Sequence, residues 1–216
     1  MPEPGDLKSR ILARVSNQPP KRVWTAADFL ELGTRDAVDK ALQRLVGANQ
    51  LRRIDWGLYD QPRQNSLTRT GSPPDPREVI DAVARRDQIR VLVDGMTAAN
   101  DLGLTNAVPA KIVVHTDARL KPIRLGNLDI VFKPAAASKL YWAGRPAMRV
   151  VQALHWLRDT AGQSDEAKAL RRKLRHLLAH DPRADQIRAD LRDGLATLPA
   201  WMQELLRPLL ETKAAA

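Results

Sequence analysis

The chain has no cysteine among its 216 residues. Disulfide bonds, zinc sites with thiolate ligands and thiol nucleophiles are therefore excluded. Aromatic side chains make up only 4% of the sequence. No apolar run approaches the roughly 20 residues that a membrane-spanning helix needs. The opening residues, Met-Pro-Glu-Pro-Gly-Asp, lack the basic region and apolar core of a signal peptide. We therefore expect a soluble, cytoplasmic protein that is not inserted in a membrane.

Motifs that mark common enzyme classes are also missing. The sequence has neither common form of the glycine-rich phosphate loop and no Gly-x-Ser-x-Gly nucleophile elbow. His176 and His180 have the i,i+4 spacing of helical metal ligands, but no third ligand accompanies them. We predict that the chain is not an enzyme and has no catalytic residues, no metal and no cofactor.

Positive charge is in excess. Lys and Arg number 35 against 25 Asp and Glu, which gives a formal net charge of +10. Hydrophobic residues make up 44% and charged residues 28%, the composition of an ordinary globular protein. The surplus favours a polyanionic partner, either nucleic acid or an acidic membrane surface.

A proline-rich segment divides the chain. Pro73, Pro74 and Pro76 follow Gly71 and Ser72, and such a run fits neither a helix interior nor a central strand. We therefore predict two domains, residues 1–72 and 73–216. Both carry a net positive charge, so total charge does not say which of them binds an anion.

Residues 1–72 are predicted to form three helices and then a β-hairpin. Asp6, Thr25 and Thr34 are N-cap residues ahead of segments with apolar residues at helical spacing. Gly57 supplies the positive φ of a tight turn between two short strands. This order is that of a winged helix-turn-helix, in which the third helix reads the major groove of DNA. The inward positions are predicted to be Ala26, Phe29 and Leu30 in the second helix and Val38, Ala41, Leu42 and Leu45 in the third.

The other face of the third helix carries polar side chains. Arginine binds guanine and glutamine binds adenine through paired hydrogen bonds, whereas lysine favours phosphate. The predicted DNA contacts on this helix are Arg35, Asp36, Lys40, Gln43 and Arg44. The predicted contacts outside it are Arg52, Arg53 and Trp56 in the hairpin and Lys21 and Arg22 ahead of the second helix.

A second interpretation of these residues stays open. An amphipathic helix has a charged outer face whether or not it binds DNA. Asp36 and Asp39 repel phosphate, unless they accept a hydrogen bond from cytosine or orient an arginine. Trp56 at the hairpin tip either enters a groove or contacts a protein, or else it packs on the domain edge or against the second domain.

Residues 73–216 are predicted to be a mixed domain. Short strands are predicted within residues 89–94, 109–116, 122–125 and 128–132, with a short helix that Thr97 caps between the first two. The connections are too short for crossovers, which predicts a small antiparallel sheet. Helices fill the remainder, so the whole chain is predicted to be α+β. One helix, within residues 165–180, holds the densest basic cluster: Lys168, Arg171, Arg172, Lys173 and Arg175. That cluster is either a solvated face or a contact for phosphate, RNA or an acidic protein.

Several segments resemble one family. They are Gly-Met-Thr-Ala-Ala-Asn-Asp-Leu-Gly-Leu-Thr at 95–105, Val-Pro-Ala-Lys at 108–111 with a strand ending His-Thr-Asp at 117, Arg-Ile-Asp-Trp-Gly-Leu-Tyr at 53–59, and residues 191–202. They are similar to segments of the abortive-infection antitoxins of type IV toxin–antitoxin systems. In that family a winged helix-turn-helix precedes an antitoxin domain, and the similarity extends over nearly the whole chain.

The resemblance implies a bacterial, cytoplasmic DNA-binding repressor of its own toxin–antitoxin operon. Its expected partners are double-stranded promoter DNA with inverted repeats and a nucleotidyltransferase-like toxin, neutralised directly or only functionally. This set of partners is compatible with a chain that is monomeric in solution. The alternative is a protein- or RNA-interaction module that uses the winged domain and the basic helix at 165–180; under it, Lys168, Arg171, Arg172 and Arg175 contact the partner.

Overall fold

The structure is a computed structural model, and it describes residues 6–18, 22–62, 71–107, 109–159 and 164–211. The backbone forms two compact units. Unit 1 comprises Met1–Ile89 and Pro122–Ile130, and unit 2 comprises Arg90–Lys121 and Val131–Ala216. Helices and strands occur in both units, so the chain is an α+β protein, as predicted.

Unit 1 opens with three helical segments and a hairpin, the order that the sequence predicts. The second segment is only one turn of 3-10 helix. The elements are α1 (Leu7–Ser16), η1 (Ala26–Phe29), α2 (Arg35–Gly47), β1 (Arg52–Asp55), β2 (Leu58–Asp60) and α3 (Pro76–Asp87).

Local hydrogen bonds fix where η1 begins. The Asp28 carboxylate accepts hydrogen bonds from the Thr25 N–H at 2.7 Å and from the Thr25 hydroxyl at 2.9 Å. The Asp28 carboxylate thus satisfies the backbone N–H of the N-cap residue, as the third helical residue does in a capping box. Leu30 is 46% exposed, which corrects the prediction that it faces inward. Because the helix ends at Phe29, Leu30 no longer follows its buried face.

Helix α2 begins at the predicted cap and buries the predicted stripe. The Thr34 hydroxyl accepts a hydrogen bond from the Ala37 N–H at 3.4 Å. The four buried residues of the helix are Val38, Ala41, Leu42 and Leu45, which confirms the stripe. Since one face is fully used in packing, the opposite face is left to solvent or to a partner.

A single apolar core joins α1, η1, α2 and the hairpin. The rings of Trp24 and Phe29 stack with their centroids 5.2 Å apart. Around them lie the buried side chains of Ile11, Val15, Leu42, Leu45, Leu51 and Tyr59. Each large side chain buried in this way stabilises the fold by about 1.5–3 kcal/mol.

The hairpin is antiparallel, and one isolated β-bridge attaches it to the preceding segment. Arg52 lies opposite Asp60, and Gly57 closes the turn with a φ of 67°, where a side chain would be strained. On the other side of β2, Trp24 and Tyr59 exchange two backbone hydrogen bonds of 2.7 and 2.9 Å. The hairpin is therefore anchored to the segment that precedes η1.

Helix α3 belongs to unit 1, although the proline-based boundary at residue 72 assigns it to the second domain. Pro76 occupies the first turn of α3, where proline is tolerated. The Arg85 guanidinium donates to the Val23 carbonyl at 2.9 Å, and that of Arg86 donates to the Trp56 carbonyl at 2.5 Å. These long-range hydrogen bonds tie α3 to the hairpin unit.

The remaining elements begin at residue 91. They are β3 (Val91–Val93), α4 (Gly95–Asp101), β4 (Lys111–Thr116), β5 (Ile123–Leu125), β6 (Leu128–Pro134), η2 (Ala137–Leu140), α5 (Met148–Trp156), α6 (Ser164–His180), α7 (Ala184–Gly194), η3 (Leu195–Thr197) and α8 (Ala200–Glu211). The hairpin of β5 and β6 starts in unit 1, and β6 continues into unit 2.

The four strands β3 to β6 form a mixed sheet, which corrects the predicted antiparallel one. Their order is β3-β4-β6-β5, and the outer pairs β3–β4 and β5–β6 are antiparallel. Ala135, directly after β6, donates its N–H to the carbonyl of Thr116, the last residue of β4, at 2.8 Å. Both strands thus end at the same side and run parallel. Strand β5 lies in the connection from β4 to β6. The chain reverses direction once before β5 and once after it, which is why β4 and β6 run parallel.

One carboxylate joins α4 to the sheet of unit 2. Asp94 accepts hydrogen bonds from the Thr97 N–H at 3.0 Å, the Thr97 hydroxyl at 2.8 Å and the Val113 N–H at 2.9 Å. It is the N-cap of α4, so the helix start is fixed to β4.

The C-terminal helices α6, α7 and α8 contact one another in unit 2. Each has a buried apolar face, with Leu170, Leu174 and Leu178 on α6, Ile187 and Leu191 on α7, and Met202, Leu205, Leu206, Leu209 and Leu210 on α8. None of the helices in the described part of the chain has the length and hydropathy needed to cross a bilayer.

Candidate nucleic-acid interface

The exposed face of α2 displays all five side chains predicted on it. Asp36, Lys40 and Gln43 follow one another at i, i+4 and i+7 and so share one line along the helix. Arg35 and Arg44 lie beside this line, and all five residues are exposed. Within the described ranges, the side chains of Lys40, Gln43 and Arg44 have no hydrogen-bonding or ionic partner. Three unpaired donors on a convex face are available to an external acceptor.

Arg35 is held by its own helix. Its Nε donates to Asp39 Oδ2 at 2.8 Å, and both side chains are largely in solvent. Exposed i,i+4 pairs of this kind stabilise a helix by only about 0.3–0.5 kcal/mol. Arg35 can therefore exchange Asp39 for a stronger acceptor, and Asp39 orients it in the meantime.

Arg52 forms an ion pair within the hairpin. Its Nε and one Nη donate to the two carboxylate oxygens of Asp60 at 2.9 and 2.5 Å. The Asp60 side chain is 6% exposed, and that of Arg52 is 31% exposed. A two-pronged pair of this kind is stronger and more directional than a single ion pair. Arg52 thus closes the open end of the hairpin, and its contact with phosphate stays a prediction.

Removing this pair should loosen the hairpin. We expect Asp60→Asn to lower the free energy of unfolding by about 1–3 kcal/mol, because a hydrogen-bonded charge loses its partner. Urea denaturation followed by circular dichroism measures the change. The control is Asp55→Asn, an exposed carboxylate on the same hairpin, which should change stability by less than about 0.5 kcal/mol. Equal losses in the two variants would contradict a structural role for Arg52.

The hairpin tip carries an exposed aromatic ring beside a cation. Trp56 is 76% exposed, so its ring does not pack on the edge of unit 1. The Arg53 guanidinium lies 4.9 Å from the centre of that ring. The Trp56 carbonyl accepts the hydrogen bond from Arg86 described above. A side-chain hydrogen bond to Asp87 raises the pKa of Arg86 above its usual value, so Arg86 stays charged.

Sequence reasoning missed Arg86. It lies 30 residues from Trp56, and no spacing in the sequence indicates that the two residues meet. Of the two predicted residues ahead of η1, Lys21 is outside the described residues. Arg22 stacks over the Trp24 ring at 4.4 Å and lies 3.6 Å from Asp28, so its guanidinium is partly engaged.

A second basic surface lies on α6 in unit 2. The four predicted cations are exposed on the side away from the buried leucines: Lys168, Arg171, Arg172 and Arg175. Lys168 reaches Asp165 at 3.3 Å, whereas the three arginines have no ionic or hydrogen-bonding partner in the described part of the chain. This face, called the α6 stripe below, is a second site for an anionic partner.

The two spaced histidines of α6 interact with each other. Their rings stack with centroids 4.2 Å apart, and His180 Nδ1 lies 2.9 Å from the His176 carbonyl oxygen. Among the residues that the structure describes, no three side chains of the metal-binding types are grouped.

His155 on α5 gives unit 2 a dependence on pH. Burial lowers the pKa of His155 below its ordinary value of 6.5. As the pH falls through 6.5, the unfolded chain takes up the proton first, so stability is lost on the acid side. We expect His155→Gln to reduce the loss of stability between about pH 7.5 and about pH 5.5 in urea denaturation. Gln152→Ala, a change on the same helix that removes no titratable group, should leave that loss unchanged, and an equal effect of both variants would contradict the assignment.

These features define an α+β protein with one basic surface on a helix and hairpin unit and another on a C-terminal helix. The chain belongs to the DUF6088 family, a family of unknown function whose model matches residues 10–185. That match runs from within α1 to the first turn of α7 and so includes both surfaces. No curated protein has a sequence that matches the chain.

Proposed function

We propose that the protein binds double-stranded DNA through unit 1 and represses its own operon, and that it is the antitoxin to a nucleotidyltransferase-like toxin. The observation that carries DNA binding is the exposed face of α2, with the unpaired donors Lys40, Gln43 and Arg44, next in the chain to a basic hairpin with an exposed tryptophan. The net charge of +10 favours the same partner.

The element order of unit 1 supports a winged helix-turn-helix. A helix, a second and a third helical segment and a hairpin follow one another. An isolated β-bridge between Trp24 and Tyr59 joins the segment before η1 to the hairpin, which is the wing in this arrangement. The turn between η1 and α2 contains Gly33, and α2 is then the recognition helix.

Each side chain has a distinct role in this proposal. Gln43 and Arg44 read base edges in the major groove, since both can form paired hydrogen bonds. Lys40 binds phosphate, and Asp36 accepts from cytosine. Arg53 and Trp56 bring the wing to the backbone or the minor groove.

A gel shift on the protein's own promoter, repeated over a series of salt concentrations, tests this function. A repressor prefers the promoter to random DNA, and its affinity falls steeply as salt rises. Arg53→Ala should weaken binding to both DNAs and reduce the salt slope by about one. Arg119→Ala, an exposed arginine of unit 2, is the control and should leave both unchanged. Salt-dependent binding without preference would reduce the proposal to general affinity for polyanions.

The antitoxin role is supported by the resemblance of residues 95–105, 108–117 and 191–202 to the abortive-infection antitoxins. In the structure these segments include α4, β4, the end of α7, η3 and the start of α8, all within unit 2. We expect Arg53→Ala to lose repression of a promoter reporter and still protect growth when the neighbouring toxin is induced. Loss of protection at normal protein levels would contradict this division of labour.

The α6 stripe favours a second candidate, a module that binds RNA or an acidic protein. Its three unpaired arginines lie on one exposed face. Charge reversal of Lys168, Arg171, Arg172 and Arg175 should spare promoter binding and impair protection from the toxin if the stripe is functional. If protection is unchanged, the stripe is a solvated face.

A further inference from the structure

Unit 2 contains a cleft of about 830 Å³ that neither DNA binding nor the α6 stripe uses. Its floor is the sheet face that carries Leu92 and His115, which lie opposite each other on β3 and β4. Gln152 and His155 of α5 form one wall, and the chain between η3 and α8 forms another. A volume of this size is that of a small-molecule site.

Four polar side chains line the cleft without partners of their own. His115, Lys139, Gln152 and His155 form no hydrogen bond or ion pair with any residue that the structure describes. In contrast, Thr197 at the rim donates its hydroxyl hydrogen to the Gly194 carbonyl at 2.7 Å. Polar groups that converge on a cavity and lack internal partners are the usual means by which a site orients its ligand.

The charge of the residues that line the cleft favours an anionic ligand. Lys139 supplies a positive charge, and the lowered pKa of His155 keeps its imidazole neutral at physiological pH, so one ring N–H can donate a hydrogen bond. None of the described residues that line the cleft is acidic. A cationic ligand would find no counter-charge there, whereas a phosphate or carboxylate would.

The aromatic wall of the cleft is held in place before any ligand arrives. The Arg145 guanidinium lies 4.6 Å from the ring centre of Tyr141 and 4.8 Å from that of Trp142. Arg145 is itself fixed by Asp190 at 2.7 Å and Asp193 at 2.6 Å. The rings of Tyr141 and Trp142 stand edge to face at 84°. Tyr141 is therefore held in place before a ligand binds, and it loses little side-chain entropy on binding.

Gly194 packs against the six-membered ring of Trp142. A Cβ at position 194 would overlap the six-membered ring of Trp142, so only glycine allows the indole to pack there. Trp142 as a whole is 7% exposed and Tyr141 is 42% exposed, so Tyr141 supplies most of the accessible aromatic surface of the cleft. Helix α7 therefore helps to shape the aromatic wall.

We infer that this cleft binds a nucleoside monophosphate. The flat base packs on the exposed ring of Tyr141, the Gln152 side chain forms a hydrogen bond with the edge of the base, and Lys139 and His155 bind the phosphate. This inference uses no residue of unit 1 and does not depend on the proposed DNA-binding function.

Calorimetric titration of the full chain with AMP, GMP, CMP and UMP tests the inference. We expect one molecule of at least one nucleotide to bind, and adenosine or inorganic phosphate alone to bind at least about tenfold more weakly than the full nucleotide. Lys139→Ala should weaken the interaction by about tenfold, since it removes a charge-assisted bond. Lys133→Ala, an exposed lysine of the same unit outside the cleft, should bind as the unchanged protein does.

Two further variants keep the test decisive. His155→Gln at the wall should weaken binding with an unchanged thermal melting curve, and the DNA-face variant Gln43→Ala should not weaken it. The inference is overturned if no nucleotide binds at millimolar concentration, or if Lys139→Ala and Lys133→Ala lose affinity equally. Binding of phosphate as tight as that of every nucleotide would overturn the role of the aromatic wall.

Discussion

Replacing Gln43 and Arg44 together by alanine is expected to cut the preference for the protein's own promoter over random DNA by about 2–6 kcal/mol. Each side chain that makes paired hydrogen bonds with a base edge discriminates by about 1–3 kcal/mol, and both are unpaired within the described chain. Competition gel shifts at a single salt concentration measure the preference. Because both side chains are exposed, the fold should tolerate their loss.

The matched control is the pair Gln186→Ala with Arg207→Ala. These residues have the same chemistry, are exposed on α7 and α8, and change the net charge equally. The control should bind both DNAs nearly as the unchanged protein does. A loss in the Gln43 and Arg44 variant that is equal on promoter and random DNA would mean that the α2 face binds phosphate only. The assignment of α2 as the recognition helix would then be wrong.

The Gly95→Val variant is expected to lose about 3 kcal/mol of unfolding free energy or more in unit 2. A Cβ at position 95 would lie 2.5 Å from the Gln152 carbonyl oxygen and 2.6 Å from the Trp156 Cβ. The first of these atoms is backbone, so α5 has to move away from α4, and overpacking of this kind costs about 1–3 kcal/mol or more. Thermal melting should show a decrease of roughly 6–12 °C.

Gly47→Val is the control for this change. Nothing lies within 4 Å of a Cβ at position 47, and its φ is not in the left-handed region. The same substitution should there leave stability within about 0.5 kcal/mol. If Gly95→Val is equally silent, the close approach of α4 and α5 does not limit the fold. Since Gln152 also lines the cleft, nucleotide binding should weaken in Gly95→Val.

Local chemistry made much of unit 1 predictable. Thr25 and Thr34 cap their helices through bonds that span three residues, and the spacing of Val38, Leu42 and Leu45 sets the buried face of α2. Such features depend on neighbours close in sequence, so a pattern can reveal them. Leu30 was mispredicted because the second segment forms one 3-10 turn instead of an α-helix.

Longer-range pairings decided the organisation of the chain. The proline run before α3 indicated a domain boundary, but Arg85 and Arg86 bind α3 to Val23 and to the Trp56 carbonyl of the hairpin. The strands at residues 111–134 indicated an antiparallel meander, but β4 and β6 lie side by side and parallel. Neither result follows from local spacing, since both depend on which distant segments meet.

By itself, the sequence determined the charge, the absence of thiol chemistry, the α+β class and the amphipathic face of α2, because these follow from composition and from short periodic patterns. Only the tertiary structure decided that Arg52 forms an ion pair with Asp60, whereas the side chains of Lys40 and Arg44 have no partner in the described chain. It also brought His115, Lys139 and Gln152 from three separate elements to one cleft. The physical reason is that the sequence does not show whether an arginine or a histidine contacts another residue of the chain, solvent or a ligand. Those contacts are set only when distant segments pack together.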